Sequence, residues 1–232
     1  MLASSVDWEK FQEEERIRRW RELSGFTLAE REKTFANFDD SKNRRAFEIA
    51  KAYAENFTRK LGIGLLFYGP AGVGKTHLAF AIGNRLLERG FAVKRWAVAD
   101  LLALSRSAFA DTESQTIQDL FSQLERLDAA ILDDLSLLTI ASAYERSRAC
   151  EFLFRVFDAC LSHRTAMLIT TNHTPKELRE QLSALDGNSE RIFSRLREAV
   201  WPVEMSGTDM RTQARLSRTP PWLSEVLKGG EK

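Results

Sequence analysis

Short apolar runs alternate with longer amphipathic segments along most of the chain, and this alternation predicts the architecture. The amphipathic segments carry apolar residues three or four positions apart, which is typical of helices that cover a sheet. Strands that alternate with helices favour right-handed crossovers and a parallel sheet. We therefore predict an α/β fold in which a parallel five-stranded sheet lies between helices. The predicted strands are 63–68, 92–98, 129–132, 166–169 and a segment near 200–205.

The helices are predicted from the same spacing and from residues that often begin or end helices. The segment 42–59 should cover the sheet, because Ala46 and Ala50 belong to a continuous apolar face. Asp100 is expected to cap the helix after the second strand. Residues 34–39 are expected to be extended. Further helices are predicted at 75–89, 113–126 and 144–162, and from residue 174 onward.

The first part of the chain is predicted to form a helix outside the sheet domain. Residues 8–23 contain strong helix formers and opposite charges three or four residues apart. Their apolar residues do not share one narrow stripe, so the helix either packs on the main domain or offers aromatic surface to a partner. Residues 27–30 have the form of a capping box. We predict an N-terminal helical extension over 1–33, a main domain over 34–216 and a C-terminal tail over 217–232.

Composition and charge limit the class of protein, the mode of contact with nucleic acid and the cellular compartment that fit this sequence. The chain has 232 residues, of which 44% are hydrophobic and 29% charged, as expected for a globular protein with a sizeable core. Its 34 basic and 33 acidic residues nearly cancel, so any contact with nucleic acid requires a local patch. The sequence shows neither an apolar signal segment nor a membrane-spanning run, and we expect a cytoplasmic protein without a membrane partner. Cys150 and Cys160 are expected to be free thiols.

A phosphate-binding loop is the most informative motif. The run Gly69-Pro70-Ala71-Gly72-Val73-Gly74-Lys75-Thr76 fits the pattern G-x-x-x-x-G-K-[ST] and stands between a predicted strand and a predicted helix. Glycines let consecutive backbone N–H groups turn toward phosphates, and the helix N-terminus adds its positive dipole. Lys75 would neutralise the β and γ phosphates, and Thr76 would place its hydroxyl on Mg2+. We predict that this run, together with His77, binds ATP or ADP with Mg2+.

Two further strand ends carry polar side chains suited to this chemistry. Asp133 and Asp134 follow the apolar strand 129–132. Asp133 is predicted to bind the magnesium shell, and Asp134 to position the attacking water. Asn172 follows the next strand and would contact the γ-phosphate or the water. An Asx turn that leads into the following helix is the alternative for Asn172.

Arginines on one helical face form a third candidate group. Arg191 and Arg195 are four residues apart, so they lie on the same side of a predicted helix. An arginine offered to the γ-phosphate of a neighbouring copy stabilises transition-state charge, which requires a homo-oligomer. A solvated helix face is the alternative. Arg211 is a further candidate for contacting the phosphates of the nucleotide.

These elements, in this order, resemble the AAA+ ATPases, and within them the DnaC, DnaI and IstB group of replicative-helicase loaders and transposition ATPases. The resemblance covers residues 34–215. It implies that Arg191 is the preferred arginine finger, that Arg195 is the second choice, and that Arg211 occupies the sensor-2 position. The motifs that carry it are Thr34-Phe35-Ala36-Asn37-Phe38, Gly74-Lys75-Thr76-His77, Ile131-Leu132-Asp133-Asp134, Ile169-Thr170-Thr171-Asn172, the segment 191–198, and Asp209-Met210-Arg211.

The resemblance also implies a function. An ATPase of this group would self-associate with ATP on single-stranded DNA and deliver a ring-shaped replicative helicase, which we expect to contact the N-terminal helix. Arg106 and Phe109 are candidates for DNA contacts, with an ordinary helix end as the alternative. The pair Asp133-Asp134 departs from the common Asp-Glu, which predicts slow hydrolysis. The 27 residues 206–232 are too few for a full helical lid.

Three other functions are compatible with parts of the pattern. An IstB-like regulator of DNA transposition would share every motif and bind duplex DNA and a transposase. A small-molecule kinase also uses a P-loop, but it needs an acceptor site and an arginine-rich lid. A nucleotide-binding scaffold without turnover is disfavoured by the intact set of Lys75, Thr76, Asp133 and Asn172.

Overall fold

The computed structural model describes residues 3–59, 61–108, 115–136, 143–183 and 189–209. In chain order, its elements are α1 (Ala3–Leu23), α2 (Leu28–Arg31), α3 (Arg44–Asn56), β1 (Gly64–Tyr68), α4 (Lys75–Glu88), β2 (Val93–Ala97), α5 (Val98–Ala108), α6 (Gln115–Leu124), β3 (Ala129–Asp133), α7 (Ala143–Ser162), β4 (Ala166–Thr171), α8 (Pro175–Ser183), α9 (Ser189–Ala199) and β5 (Val200–Glu204).

The strands form one parallel sheet in the order β2-β3-β4-β1-β5. Leu66 of β1 aligns with Ile169 of β4, and Ile131 of β3 aligns with Leu168. The predicted α/β fold with a five-stranded parallel sheet is therefore confirmed. Because β1 is next to β4 and β4 is next to β3, the loops that follow these three strands meet at one edge of the sheet. The P-loop follows β1 and runs into α4, Asp133 is the last residue of β3, and Asp134 and Asn172 follow β3 and β4 directly.

Alternate residues of the strands face two separate cores. One core contains Leu66, Leu132 and Ile169 together with buried residues of α5, α6, α7 and α9. The other contains Phe67 and Ile131 together with α3 and α4. Each large apolar side chain that is fully buried contributes roughly 1.5–3 kcal/mol to stability. The sheet is consequently held from both faces, which fixes the loops at its carboxyl edge.

Local structure differs from the sequence-based expectation at two points. The segment 34–39 contains a bend and a turn at residues 35–37 and no strand, because Asn37 Oδ1 accepts hydrogen bonds from the backbone N–H and hydroxyl of Thr34 at 2.9 and 3.0 Å. Helix α5 begins at Val98 directly after β2, so Asp100 lies in its first turn and is not its cap. The capping box at Thr27 is confirmed.

Helix α1 is docked along only part of its length. The backbone N–H of Arg95 in β2 donates to the Ser24 carbonyl at 2.9 Å, and Trp20 packs against both cores. A side chain at Gly90 would come within 2.6 Å of Glu13 and Arg16, so α1 lies close to the end of α4. Farther toward the N-terminus, Trp8 is 60% exposed and Phe11 is 52% exposed. The C-terminal half of the helix therefore packs on the main domain, and the N-terminal half carries exposed aromatic side chains, whose binding to a partner stays a prediction.

Two further expectations from the sequence concern the cysteines and membrane-spanning helices. Cys150 and Cys160 are buried thiols that form no disulfide, as expected. Burial raises the pKa of the Cys160 thiol to about 12, so this thiol is protonated at neutral pH. Within the described part of the chain, every helix is too short or too polar to cross a bilayer.

Candidate functional site

The loop between β1 and α4 is shaped by glycines that no other residue could replace without a clash. Gly74 has a φ of 101° and immediately precedes α4, and a Cβ there would lie 2.6 Å from the ring of Phe38. Gly72 has a φ of 78°, and its Cβ would lie 1.8 Å from a carboxylate oxygen of Asp209. Left-handed backbone of this kind turns N–H groups toward a common centre, which creates an anion-binding cradle.

Lys75 places a buried ammonium group at this cradle. Its Nζ donates to the carbonyl oxygens of Gly69 and Pro70 at 2.8 and 2.6 Å, and to Asn172 Oδ1 at 2.8 Å. The side chain is only 6% exposed. A positive charge held in a low-dielectric setting interacts strongly with an arriving anion. Lys75 is therefore positioned to attract phosphate.

Asp133 joins the P-loop to two strand ends. One carboxylate oxygen, Oδ1, accepts a hydrogen bond from Thr76 Oγ1 at 2.9 Å and another from Thr170 Oγ1 at 2.6 Å. A carboxylate and a hydroxyl are hard oxygen ligands, and Mg2+ at phosphate sites commonly uses one or two carboxylates together with phosphate oxygens and waters. The predicted pair Thr76 and Asp133 therefore fits this ion.

Asp134 has an unusual backbone conformation. Its φ is 61°, and its backbone N–H donates to Thr170 Oγ1 at 2.9 Å. Asn172 Nδ2 donates to Asp134 Oδ1 at 3.3 Å, while Asn172 Oδ1 accepts from Lys75. The Asn172 amide thus bridges the lysine that faces phosphate and the acid predicted to position water.

Two positioning residues were missed by the sequence analysis. Thr170 holds both acids, as described above. Asn43 Nδ2 donates to the carbonyls of Val73 and Ser206 at 3.4 and 3.0 Å, and its Oδ1 accepts from the Ser206 N–H at 2.9 Å. Asn43 therefore ties the P-loop to the end of β5. The only local signal for Asn43 is its place immediately before a helical pattern.

His77 fixes the segment before α3 to the start of α4. Its Nε2 lies 2.8 Å from the Thr34 carbonyl oxygen, so this nitrogen carries the proton and donates. Asn37 Oδ1 lies 3.1 Å from the same nitrogen, and the ring of Phe38 packs edge-on with centroids 5.2 Å apart. His77 contacts these residues and supports the P-loop helix from one side.

Burial lowers the pKa of His77 below its ordinary value of 6.5, and the hydrogen bond to Thr34 opposes this shift only in part. In the unfolded chain His77 takes up a proton near pH 6.5, whereas the folded protein binds that proton only at lower pH. The contribution of His77 to stability is therefore complete above pH 6.5 and decreases as the pH falls toward the folded pKa.

His77→Gln is expected to weaken this pH dependence, because glutamine keeps a donor for Thr34 but does not titrate. Urea unfolding of the wild-type and variant proteins at a series of pH values below neutrality would measure it. The difference between the two proteins isolates His77, because every other titratable group is common to both. Equal slopes of unfolding free energy against pH would contradict this role of His77.

The candidate arginines lie on α9, which packs against α7 through the buried Ile192 and Leu196. The guanidinium of Arg191 lies over the ring of Phe154 at 4.7 Å. Arg195 forms ion pairs with Asp158 at 3.0 Å and with Glu198 at 3.1 Å.

The side chains of three predicted site residues are outside the described part of the structure. Arg211 and Phe109 fall outside the described residues. Arg106 belongs to α5, but its side chain is not among those described. The expectation of a short lid also rests on residues after 209, which are outside the described ranges.

Fold and site together define the class of protein. A parallel sheet in the order β2-β3-β4-β1-β5 carries a P-loop after β1, an acid pair at the end of β3 and an asparagine after β4. This arrangement is that of a P-loop ATPase of the AAA+ class. The chain belongs to the family of IstB-like ATP binding proteins, whose family model matches residues 4–218.

Individual relatives are consistent with this assignment. The replicative helicase loader DnaC of Buchnera aphidicola subsp. Acyrthosiphon pisum is 28% identical over 166 residues, which cover 69% of this chain and 63% of that protein. The chain thus spans less than two thirds of the length of this relative. A crystal structure of the DnaC helicase loader has a TM-score of 0.64 at 20% identity and covers 78% of this chain and 100% of that one. The structure of the replication initiator DnaA bound to AMPPCP and single-stranded DNA has a TM-score of 0.59 at 23% identity. The match covers 84% of this chain and 59% of that one.

Proposed function

We propose that this protein is an ATP-dependent loader of the replicative DNA helicase. The observation that carries the proposal is the chain of contacts from Lys75 through Asn172 to Asp134, which couples a phosphate-binding lysine to a water-positioning acid. Because the phosphate contact and the hydrolytic acid are linked, the state of the bound nucleotide can control when the protein holds or releases its partner. The similarity to a protein named replicative helicase loader DnaC supports helicase as the partner.

In this proposal the site binds ATP with Mg2+. The loop from Gly69 to Thr76 holds the phosphates, Lys75 neutralises their charge, and Thr76 with Asp133 holds the ion, which stabilises charge on the transferred phosphoryl group. Asp134 positions the attacking water. Aspartate is one methylene shorter than glutamate and holds the water farther back, so we infer that hydrolysis is slow and acts as a release step.

A neighbouring copy completes the site in trans. Arg195 forms exposed ion pairs with Asp158 and Glu198, which contribute little and would rearrange if Arg195 reached another subunit. Arg191 lies against the face of Phe154, with its guanidinium 4.7 Å from the ring centroid. Following the family resemblance, which prefers this position, we assign Arg191 as the arginine finger of an ATP-dependent homo-oligomer. Single-stranded DNA is the proposed polymer partner, supported by the similarity to DnaA in complex with it.

The family assignment also favours a second function, regulation of DNA transposition by an IstB-like ATPase. It would use the same nucleotide site with a transposase as the partner. The identity of the protein captured by the N-terminal helix therefore distinguishes the two functions.

The test is capture of the purified replicative helicase of the same organism by the full-length protein. The exposed Trp8 of α1 is the proposed anchor, because buried aromatic residues contribute much of the energy at protein interfaces. Trp8→Ala is expected to weaken helicase binding about tenfold or more, as measured by surface plasmon resonance. Leu28→Ala changes a residue that is 80% exposed on α2 and is the matched control. Absence of any wild-type complex with helicase, combined with capture of a transposase, would contradict the loader function.

A further inference from the structure

A groove beside α1 has no role in the nucleotide site. It has a volume of 670 Å3 and lies between one face of α1 and a wall formed by β2 and α6. The wall contributes Lys94, Gln123, Arg126 and Leu127, and α1 contributes residues between Gln12 and Leu23. Trp20, Leu23 and Leu127 make its surface apolar, while four basic side chains stand around it. They are Arg16, Arg19, Lys94 and Arg126.

The same face of α1 continues beyond the groove toward the N-terminus. Trp8 precedes Gln12, Glu15 and Arg19 at helical spacing, so these side chains lie along one side of the helix. The ring of Phe11 stacks on that of Trp8 with centroids 5.8 Å apart. This aromatic pair is exposed, although paired aromatic side chains are normally buried. One helix therefore carries both an apolar basic groove and an unburied aromatic pair.

Charge along α1 is divided between its two halves. Residues 7–15 contain five acids and one lysine, whereas residues 16–21 contain four arginines and no acid. A parallel pair of such helices would place like charges together, and an antiparallel pair places opposite charges together. Lys94 and Arg126 increase the positive charge opposite an incoming acidic half. The contacts from Glu13 to Arg16 and from Glu15 to Arg18 within α1 are exposed ion pairs, which contribute little and can rearrange.

We propose that α1 of one copy lies antiparallel to α1 of a second copy, with the acidic aromatic half of each in the basic groove of the other. The result is a two-fold symmetric dimer that forms without nucleotide. In the register centred between residues 15 and 16, Trp8 faces Leu23 of the second copy and Gln12 faces Arg19. Glu15 then faces Arg16 across the axis. Such an interface is self-complementary and closes at two subunits.

The dimer does not depend on the proposed function, since no ATP, DNA or helicase takes part in it. If helicase also binds Trp8, the second copy and the helicase compete for α1, and the dimer is a resting state. The assembly driven by ATP uses α9 and is a separate contact.

Sedimentation and light scattering of the nucleotide-free, full-length protein test the dimer. Wild type is expected to be dimeric at micromolar concentration, and the double variant Trp8→Ala with Phe11→Ala is expected to be monomeric. Trp201→Ala is the matched control, because this tryptophan is 67% exposed on β5, far along the chain from α1. Unchanged thermal unfolding would show that the double variant is folded. A monomeric wild type, or a dimeric double variant, would overturn the proposal.

Cysteine trapping tests the register. Under mild oxidation the Glu15→Cys variant is expected to form a disulfide with its own copy, because position 15 lies near the two-fold axis. Trp8→Cys is not expected to do so, since two copies of position 8 are about 22 Å apart at a rise of about 1.5 Å per residue. A mixture of Trp8→Cys and Leu23→Cys should give a mixed disulfide. Trapping of Trp8→Cys with itself would show a parallel pair and overturn the register.

Two outcomes separate this inference from the proposed function. A monomeric wild type whose helicase binding falls in Trp8→Ala overturns the dimer and keeps the loader function. A trapped dimer without helicase binding overturns the loader function and keeps the dimer.

Discussion

Lys75→Ala is expected to weaken binding of ATP and ADP about 30-fold or more, because losing one partner of a buried charged contact costs about 2–5 kcal/mol. In the folded protein Lys75 Nζ is held by Gly69, Pro70 and Asn172, so the ammonium group needs little rearrangement to meet phosphate. Isothermal titration calorimetry with nucleotide and Mg2+ measures the effect.

The control for this variant is Lys51→Ala, which removes an exposed lysine of α3 without touching the P-loop. Its affinity for nucleotide should equal that of wild type. Thermal unfolding of both variants separates lost binding from lost structure. Wild-type affinity in a folded Lys75→Ala protein would remove the basis for the whole nucleotide site.

Arg191→Ala is expected to lower ATP hydrolysis by about 10³-fold or to background, which is the lower end of what an arginine finger contributes. The decisive measurement mixes Arg191→Ala with Lys75→Ala subunits. The first kind binds ATP but offers no finger, and the second offers a finger but binds no ATP. If Arg191 acts in trans, the mixture recovers part of the wild-type rate, although each variant alone is inactive.

Arg195→Ala is the matched control, since Arg195 lies one helical turn away on the same helix and is paired with Asp158 and Glu198. Its hydrolysis rate should remain close to that of wild type. A large loss in Arg195→Ala with little loss in Arg191→Ala would reverse the assignment. Full activity of both variants would show that α9 supplies no finger.

The main features of the site could be predicted because each is local in the sequence. The P-loop is one continuous run, and the two acids and Asn172 each follow directly after an apolar strand. The α/β alternation then predicts that parallel strand ends meet at one edge. Only the neighbours in the sheet had to be supplied by the structure, which shows β3, β4 and β1 side by side.

Contacts between distant parts of the chain could not be predicted. Asn43 and Ser206 are 163 residues apart, and neither belongs to a motif. Thr170 was noted within its strand, but its hydrogen bonds to the two acids depend on the alignment of β3 with β4. The docking of α1 also depends on tertiary contacts with Arg95 and Gly90, whereas its helical character follows from composition.

The left-handed backbone at Asp134 restricts which residues can occupy this position. With a φ of 61°, the position favours glycine, asparagine or aspartate, whose short side chains tolerate this region best. A single codon change to glutamate would add the missing methylene but place a longer side chain on an unfavourable backbone. Under the slow hydrolysis that we propose, a faster variant would therefore need a second substitution that reshapes the turn after β3, so that hydrolysis rate and loop geometry would change together.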